Sequence, residues 1–317
     1  MAIEKISARG IKKAAALIKA GGVVAFPTET VYGLGADGLN PAACARIFEI
    51  KARPRFDPLI LHECSAARAR KLFSRVPKAA LRLMKAFWPG PLTLVLPKAS
   101  AVPEIVTAGL KTVAVRVPAN PHALALIKAS GRPIAAPSAN SFGRLSPTTA
   151  AHVEKQLGSG PDLILDGGKT RIGVESTIVT FSKGRPVLLR PGGLPLEEIE
   201  KIAGPAALKA RQGGPPQAPG CLKKHYAPNT GIRFILPGAA VRPDAKAGYL
   251  AFRRKPGGNW GAVKVLSRTG DLREAAAGLF AALHQLESSG VQTIYVERVP
   301  AHGLGRAIMD RLKRAST

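Results

Sequence analysis

The sequence predicts an α/β fold built in two unequal parts. Three observations carry this. Short apolar runs alternate with capped amphipathic stretches through the first two thirds of the chain. Residues 204–231, GPAALKARQGGPPQAPGCLKKHYAPNTG, then break every periodicity with dense Gly and Pro. Beyond them the alternation resumes on a smaller scale. We therefore expect a first domain over 1–203, a linker over 204–231 and a smaller α/β domain over 232–317. A length of 317 residues supports two cores, and an apolar fraction of 46% is that of a globular chain.

The elements follow in order. Ser7 caps a helix to about residue 20, stopped by Gly21-Gly22. VVAF (23–26) is a short strand. Asn40-Pro41 caps and opens a helix to about Lys51. PLILH (58–62), LTLVL (92–96), TVAVRV (112–117), PIAAP (133–137), LILD (163–166), STIVTF (176–181) and PVLLR (186–190) read as strands. Helices are expected near 77–87, 121–130, 148–157 and 195–202. Several strands end in a polar group, among them His62, Arg116, Ser138 and Arg190, which is where α/β folds gather function. In the second part, IRFIL (232–236), GYLAF (248–252), AVKVL (262–266) and TIYVE (293–297) are strands. A helix from Asp271 to about Ser289 carries the stripe Leu272, Ala276, Leu279, Phe280, Leu283, Leu286, and a basic helix covers 304–314. A linker of 28 residues is long for an idle connection.

Charge is the outlier. Lys plus Arg is 47 and Asp plus Glu is 20, a net +27. Such an excess attracts polyanions, although the cations are scattered rather than blocked into a tail. Cys44, Cys64 and Cys221 form no C-x-x-C pair, which argues against a zinc ribbon and suits a reducing compartment. The N-terminus has no long apolar run, so no signal peptide is expected, no apolar run in the sequence approaches the roughly 18–20 residues of a spanning helix, and the location expected is cytoplasmic.

Several motifs compete. Gly33 to Gly38, GLGADG, has dinucleotide-binding spacing, but PTETVY separates it from its strand and the next helix opens only at Pro41. The glycines are better read as a turn with positive φ or as tight packing. GGKT at 167–170 lacks the first glycine of a phosphate loop, whose place is taken by Leu163. Lys51 and Arg53, in KARPRFD, suit either a phosphate or carboxylate ligand or the dipole of a helix end. PSAN (137–140), ESTIV (175–179) and LLRPGG (188–193) each read as a turn or as ligand contacts, and Arg190 past an apolar strand needs an anion or water. There is no G-x-S-x-G elbow and no H-E-x-x-H helix. His122, His152, His284 and His302 have no ligand spacing.

Taken together and in order, PTETVYGLGAD, KARPRFDPLILH, TVAVRVP, PSAN, ESTIV, LLRPG and PGCLKKHYAP resemble the YrdC family in its long two-domain form, over essentially the whole chain. The resemblance implies a YrdC-like twisted mixed sheet around a large basic cavity, and a Rossmann-like C-terminal domain. It implies synthesis of L-threonylcarbamoyl-AMP from L-threonine, bicarbonate and ATP, with release of pyrophosphate, for modification of a tRNA adenosine. Mg2+ is expected with the nucleotide, and the chain supplies no metal site of its own. Contact with tRNA or with the downstream transferase is open. By matching positions, Thr30, His62, Arg116, Ser138 and Ser176 would hold threonine. Lys51 and Arg53 would be the catalytic cations, and Arg53, Asp57, Thr112, the backbone at Ala136, Ser146, Arg190 and Tyr226 would contact ATP. Asp57 departs from the family's usual Asn and needs a paired cation near phosphate. Tyr226 would close the linker over the nucleotide as a lid. Two other readings remain: a non-catalytic tRNA or double-stranded-RNA module using the same cavity, and a nicotinamide enzyme built on Gly33 to Gly38.

Overall fold

The strand that was not expected explains the glycines. In a computed structural model of the chain, describing residues 2–208, 218, 220, 225–236, 238 and 241–316, YGLGAD is itself extended. The first domain begins with β1 (Ala2–Lys5) and α1 (Ala8–Lys19), capped by Ser7, whose Oγ accepts the Gly10 N–H at 3.0 Å. Then come β2 (Val24–Pro27) and β3 (Tyr32–Asp37), paired antiparallel. A Cβ on Gly35 would lie 2.6 Å from Ile134 Cγ2 and from Phe26 Cε1, and one on Gly38 2.4 Å from Leu61 Cδ2. These glycines serve close packing within a strand and in the turn just after it, as the second of the two readings has it, and none of Gly33, Gly35 and Gly38 has positive φ, so the first is corrected.

Asn40 caps α2 (Pro41–Lys51), with proline in the first turn and Ala52 left-handed at the end. β4 (Ile60–His62), α3 (Ala66–Arg70), α4 (Lys78–Phe87), β5 (Leu92–Pro97), α5 (Glu104–Thr107) and β6 (Thr112–Arg116) follow. Next are α6 (Pro121–Ser130), β7 (Ile134–Ala135), α7 (Ala150–Leu157), β8 (Leu163–Asp166), β9 (Thr177–Ser182), β10 (Arg185–Arg190) and α8 (Leu196–Ala203). β11 (Ala207–Leu208) adds parallel to β10, so the Gly/Pro-rich stretch starts by extending the first sheet.

Among the described residues this sheet has eleven strands, in the order β1-β8-β2-β3-β7-β4-β6-β5-β9-β10-β11. It is mixed: β4 and β6 are parallel, β5 and β6 antiparallel. Alternation along a strand gives its faces different jobs. On β6, Val113 and Val115 enter the main core with Leu61, Leu94 and Leu96. Ala114 lies in a smaller cluster with Ile60, Val95, Ile178 and Leu189, and Ala218 from beyond β11 packs onto it. Thr112 and Arg116 share the Ala114 face by period two.

The second sheet comprises β12 (Gly231–Phe234), β13 (Ala247–Ala251), β14 (Ala262–Val265) and β15 (Thr293–Val296), all parallel, in the order β12-β15-β13-β14. α9 (Leu272–Ser288) and α10 (Gly305–Ala315) cover one face with the expected apolar stripe. Their core is shared between the two parts: Val31, Leu145 and Val174 of the first domain join Phe280, Leu283 and Leu312 of the second. At Gly173 (φ +76°), a Cβ would lie 2.5 Å from Ala276 O of α9. His152 of α7 and His284 of α9 stack across the same junction with ring centroids 3.9 Å apart.

Candidate functional site

Sheet register assembles the site. His62 ends β4 directly beside Arg116, which ends β6, and Arg116 lies opposite Thr93 of β5. Their side chains share a hollow lined also by Thr30, Arg53, Ala136, Ser138, Glu175, Ser176, Arg190 and Tyr226. Arg53, Arg116 and Arg190 are 6%, 3% and 3% exposed, so three guanidinium groups are held in one enclosed space.

Each is oriented by fixed acceptors. Arg116 gives Nε–H to Gly90 O at 3.2 Å, Nη1–H to Thr30 Oγ1 at 2.9 Å and Nη2–H to Glu29 Oε1 at 2.5 Å. Two of its five N–H groups are left over for a ligand. Thr28 donates to Val31 O at 2.6 Å, so Thr30 donates to Thr28 across their 2.8 Å contact, and the relay leaves the Thr30 oxygen to accept from Arg116. Arg53 gives Nε–H to Asp57 O at 3.1 Å and an Nη2–H to Pro58 O at 2.8 Å, and its Nη2 lies 2.9 Å from Asp57 Oδ2. Arg190 holds Ser176 O through Nη2 at 2.9 Å and Ser176 Oγ at 3.2 Å.

The protonation states follow from burial. Burial pulls His62 down to about 3, with the Arg116 charge adding to it, so the imidazole is neutral at neutral pH. Burial, then the neighbouring Arg53 charge, pushes Lys51 well below the usual lysine range. Burial would raise Glu29, but the facing Arg116 charge and hydrogen bonds more than offset it and the carboxyl lies below its ordinary value. Burial acts upward on Glu175 too, and Arg311 and Arg190 outweigh it.

The far wall is the segment after β11. His225 and Tyr226 turn into the hollow, with Tyr226 left-handed (φ +62°) and 1% exposed. Such a backbone persists only when its surroundings fix it. Here the Arg311 guanidinium carbon lies 4.9 Å from the Tyr226 ring centroid, and Phe280 and His225 pack on the ring at 5.7 and 4.1 Å. The neighbouring backbone is tied on both sides, His225 N–H to Arg314 O at 3.2 Å and Ala227 N–H to Gly143 O at 2.8 Å. With this strap in place the hollow has a volume of about 40 Å³, room for a few waters and not for a nucleotide.

Most of the positions implied by sequence converge here, in different ways. Thr30, Arg53, His62, Arg116, Ala136, Ser138, Ser176, Arg190 and Tyr226 line the hollow. The Ala136 N–H is committed to Ile60 O at 2.9 Å. Lys51, Asp57, Ser146 and Thr112 are not among the lining residues. Lys51, 1% exposed, reaches the Ser138 carbonyl at 2.6 Å and that of Asn140, so it pins the PSAN loop. Asp57 is the counter-charge of Arg53. Ser146 donates to Glu175 Oε1. Thr112 lies at the other end of β6 from Arg116, roughly 13 Å along the strand, on the cavity-side face.

Sequence reasoning missed three groups. Glu29 sits inside the quoted PTETVY and orients Arg116. Glu175 opens the quoted ESTIV and lines the hollow. Arg311 of α10 crosses from the second domain, fully buried, to Glu175 Oε2 at 2.7 Å and Pro191 O at 2.9 Å. The first two were legible as buried-acid candidates, whereas nothing local marks Arg311. Cys44 is buried, with its thiol pushed up to about 12 by burial, and Cys221 lies outside the described residues.

Comparison with known proteins places this arrangement. Residues 16–192 match the Sua5/YciO/YrdC family model, described as "Telomere recombination", and residues 194–317 match the model described as "Threonylcarbamoyl-AMP synthase, C-terminal domain". Threonylcarbamoyl-AMP synthase of Pyrococcus abyssi (strain GE5 / Orsay) is 46% identical, over 99% of this chain and 96% of that protein. The protein of the same name from Bacillus subtilis (strain 168) is 44% identical, over 96% and 92%. The crystal structure of P. abyssi Sua5 complexed with L-threonine superposes with a TM-score of 0.91 at 42% identity, covering 100% of this chain and 98% of that one. The chain therefore belongs to the Sua5/YciO/YrdC family, in the form that carries the threonylcarbamoyl-AMP synthase C-terminal domain.

Proposed function

We propose that the hollow makes L-threonylcarbamoyl-AMP from L-threonine, bicarbonate and ATP, releasing pyrophosphate and water, for modification of a tRNA adenosine. The observation that carries this is the convergence of Arg53, Arg116 and Arg190, each already aimed by buried acceptors. Threonine nitrogen and bicarbonate give a carbamate, whose oxygen attacks the α-phosphorus while the bond to pyrophosphate breaks. Charge develops on phosphate oxygens, and preorganised cations in a dry site stabilise it without reorganisation. No protein nucleophile is required.

In this reading the threonine carboxylate takes the two remaining Arg116 N–H groups, as a forked pair. Neutral His62 and the hydroxyls of Thr30, Ser138 and Ser176 complete that end. Arg53 and Arg190 take the phosphates, and the sheet face toward Thr112 gives the long nucleotide room beyond the hollow. Lys51 and Asp57 act through their neighbours, holding the Ser138 loop and Arg53. Mg2+ would arrive on the nucleotide's phosphates. The nearby carboxylates Glu29, Asp57 and Glu175 each face a guanidinium, so no step is assigned to the metal.

The chain works as three parts, with domains over 1–203 and 232–317 and a strap over 204–231. ATP entry requires the strap to lift, and closure of Tyr226 excludes water from a labile mixed anhydride. The site of action is the cytoplasm. No helix of the described residues is long and apolar enough to cross a membrane. The test uses ATP, threonine and 14C-bicarbonate. Threonine-dependent incorporation of label with matching pyrophosphate release supports the reading. RNA binding without label incorporation would overturn it in favour of a non-catalytic module.

A further inference from the structure

The second domain has a groove that the adenylate chemistry does not use. It lies between the loop after β13 and strand β14, at the outer edge of the small sheet, with a volume of about 870 Å³. Arg253, Arg254, Lys255, Lys264 and Arg268 line it, and among the described residues no Asp or Glu does. Among the described residues none of these five cations forms an ion pair. The domain's six carboxylates each have other hydrogen-bond donors: Glu297 accepts from Tyr249 Oη and the Phe252 N–H, Asp271 caps α9, Asp310 faces Arg311 and Arg314, Asp244 accepts the Lys246 N–H, Glu287 the Asn229 N–H, and Glu274, near Arg268 in sequence, accepts from Ser267 Oγ. Five like charges gathered without a counter-charge repel one another, and an extended anion relieves that repulsion.

A fixed aromatic wall accompanies them. Trp260 lines the groove partly buried, with Tyr249 and Tyr295 edge-on at 4.8 and 6.0 Å and its Nε1–H held by Gly257 O at 3.0 Å. Its ring is therefore set in orientation before any ligand arrives. Among the described residues, the edge strand β14 is paired on one side, by β13. A row of cations beside a preset indole is the combination that binds a sugar–phosphate backbone and stacks a base.

We propose that this groove binds a single-stranded stretch of nucleic acid, with phosphodiesters along Arg253, Arg254, Lys255, Lys264 and Arg268 and one base on Trp260. The site is independent of the adenylate reading. It gives part of the +27 net charge a specific job.

The test is fluorescence anisotropy of the full-length protein with a labelled, unstructured 20-nucleotide RNA and with a tRNA transcript, across a salt series. R253E/R254E/K255E should weaken binding at least tenfold and flatten the log K against log salt slope by about 2, from about 0.7 per phosphate contact. Trp260→Ala should weaken it about tenfold with the slope unchanged, and Trp260→Phe should restore most of that. R70E/K71E/R75E makes the same change in net charge at exposed residues of the first domain and should change affinity less than threefold. Adenylate synthesis by all four variants at the wild-type rate shows that each is folded. The proposal fails if the wild-type protein does not bind the RNA, if the loop variant binds like wild type, or if the control loses as much. Displacement of the RNA by millimolar inorganic phosphate or AMP would also overturn it, in favour of a free-anion site.

Discussion

Two sets of cations in this molecule share a sign and little else. In the hollow, Arg53, Arg116 and Arg190 are nearly inaccessible, and each makes at least two hydrogen bonds to fixed acceptors. At the groove, Arg253, Arg254, Lys255 and Arg268 are exposed and without ion-pair partners among the described residues. Burial makes a guanidinium costly unless paired, so the hollow's arginines come with Glu29, Asp57 and Glu175 nearby and their directions are set. Exposure makes a cation cheap and mobile, and screened by salt within about a Debye length. The first arrangement suits one defined transition state. The second suits a long polyanion of variable sequence.

Breaking the hollow should give the largest effect. Arg116→Ala leaves Glu29 facing no charge and removes the carboxylate fork. We expect about a thousandfold loss in kcat/KM for threonine, from two lost charge-assisted hydrogen bonds of about 1.5–3 kcal/mol each, with a much smaller change in KM for ATP. Equal losses for both substrates in steady-state kinetics would detach Arg116 from threonine. Next is Arg311→Ala, which removes the ion-pair partner of Glu175 and frees one face of Tyr226. It should destabilise the junction by about 3 kcal/mol in urea melts and raise KM for ATP, with KM for threonine nearly unchanged. Arg311→Met, which fills the space without charge, should leave the ATP defect in place.

A smaller effect tests the reading of GLGADG. Gly35→Ala drives a methyl into Ile134 and Phe26, so it should cost about 1–3 kcal/mol of stability by thermal denaturation. The stacked pair His152 and His284 should make the junction acid-sensitive. Both are depressed to about 4 by burial, with Lys155 beside each and His284 also adding to the shift of His152. Between about pH 6.5 and 4 the unfolded chain binds more protons at these positions than the folded one, so the pair's contribution is full above about 6.5 and is lost as pH falls toward 4. His284→Gln, measured by thermal melts across that range, should flatten this part of the profile. The smallest effect is on the other side of the comparison: R253E/R254E/K255E should change adenylate synthesis less than twofold.

The sequence made the two-part architecture legible because periodicity and Gly/Pro density are local signals. Asn40-Pro41 and Asp271 announced their helices, and the strand-end positions of His62, Arg116 and Arg190 announced polar groups at one sheet edge. β3 stayed hidden because its glycines suppress strand propensity, and the reason for them, the Phe26 and Ile134 side chains, is supplied by neighbouring strands. β1 and β11 are short edge strands whose pairing is set by their neighbours β8 and β10. Arg311 was invisible for a related reason: a basic residue on a basic helix looks like a solvated one until Glu175 is brought to it. Sequence marked Lys51, Ser146 and Asp57 as site positions, but their partners within the chain, the Ser138 carbonyl, Glu175 and Arg53, are brought to them only by the fold.

A crystal structure with threonine and a non-hydrolysable ATP analogue tests the central claim most directly. The threonine carboxylate should lie on Arg116 and the triphosphate between Arg53 and Arg190, with Tyr226 moved from its present seat. Threonine away from Arg116, or the analogue seated in the Arg253–Arg268 groove with the hollow still closed, would contradict it.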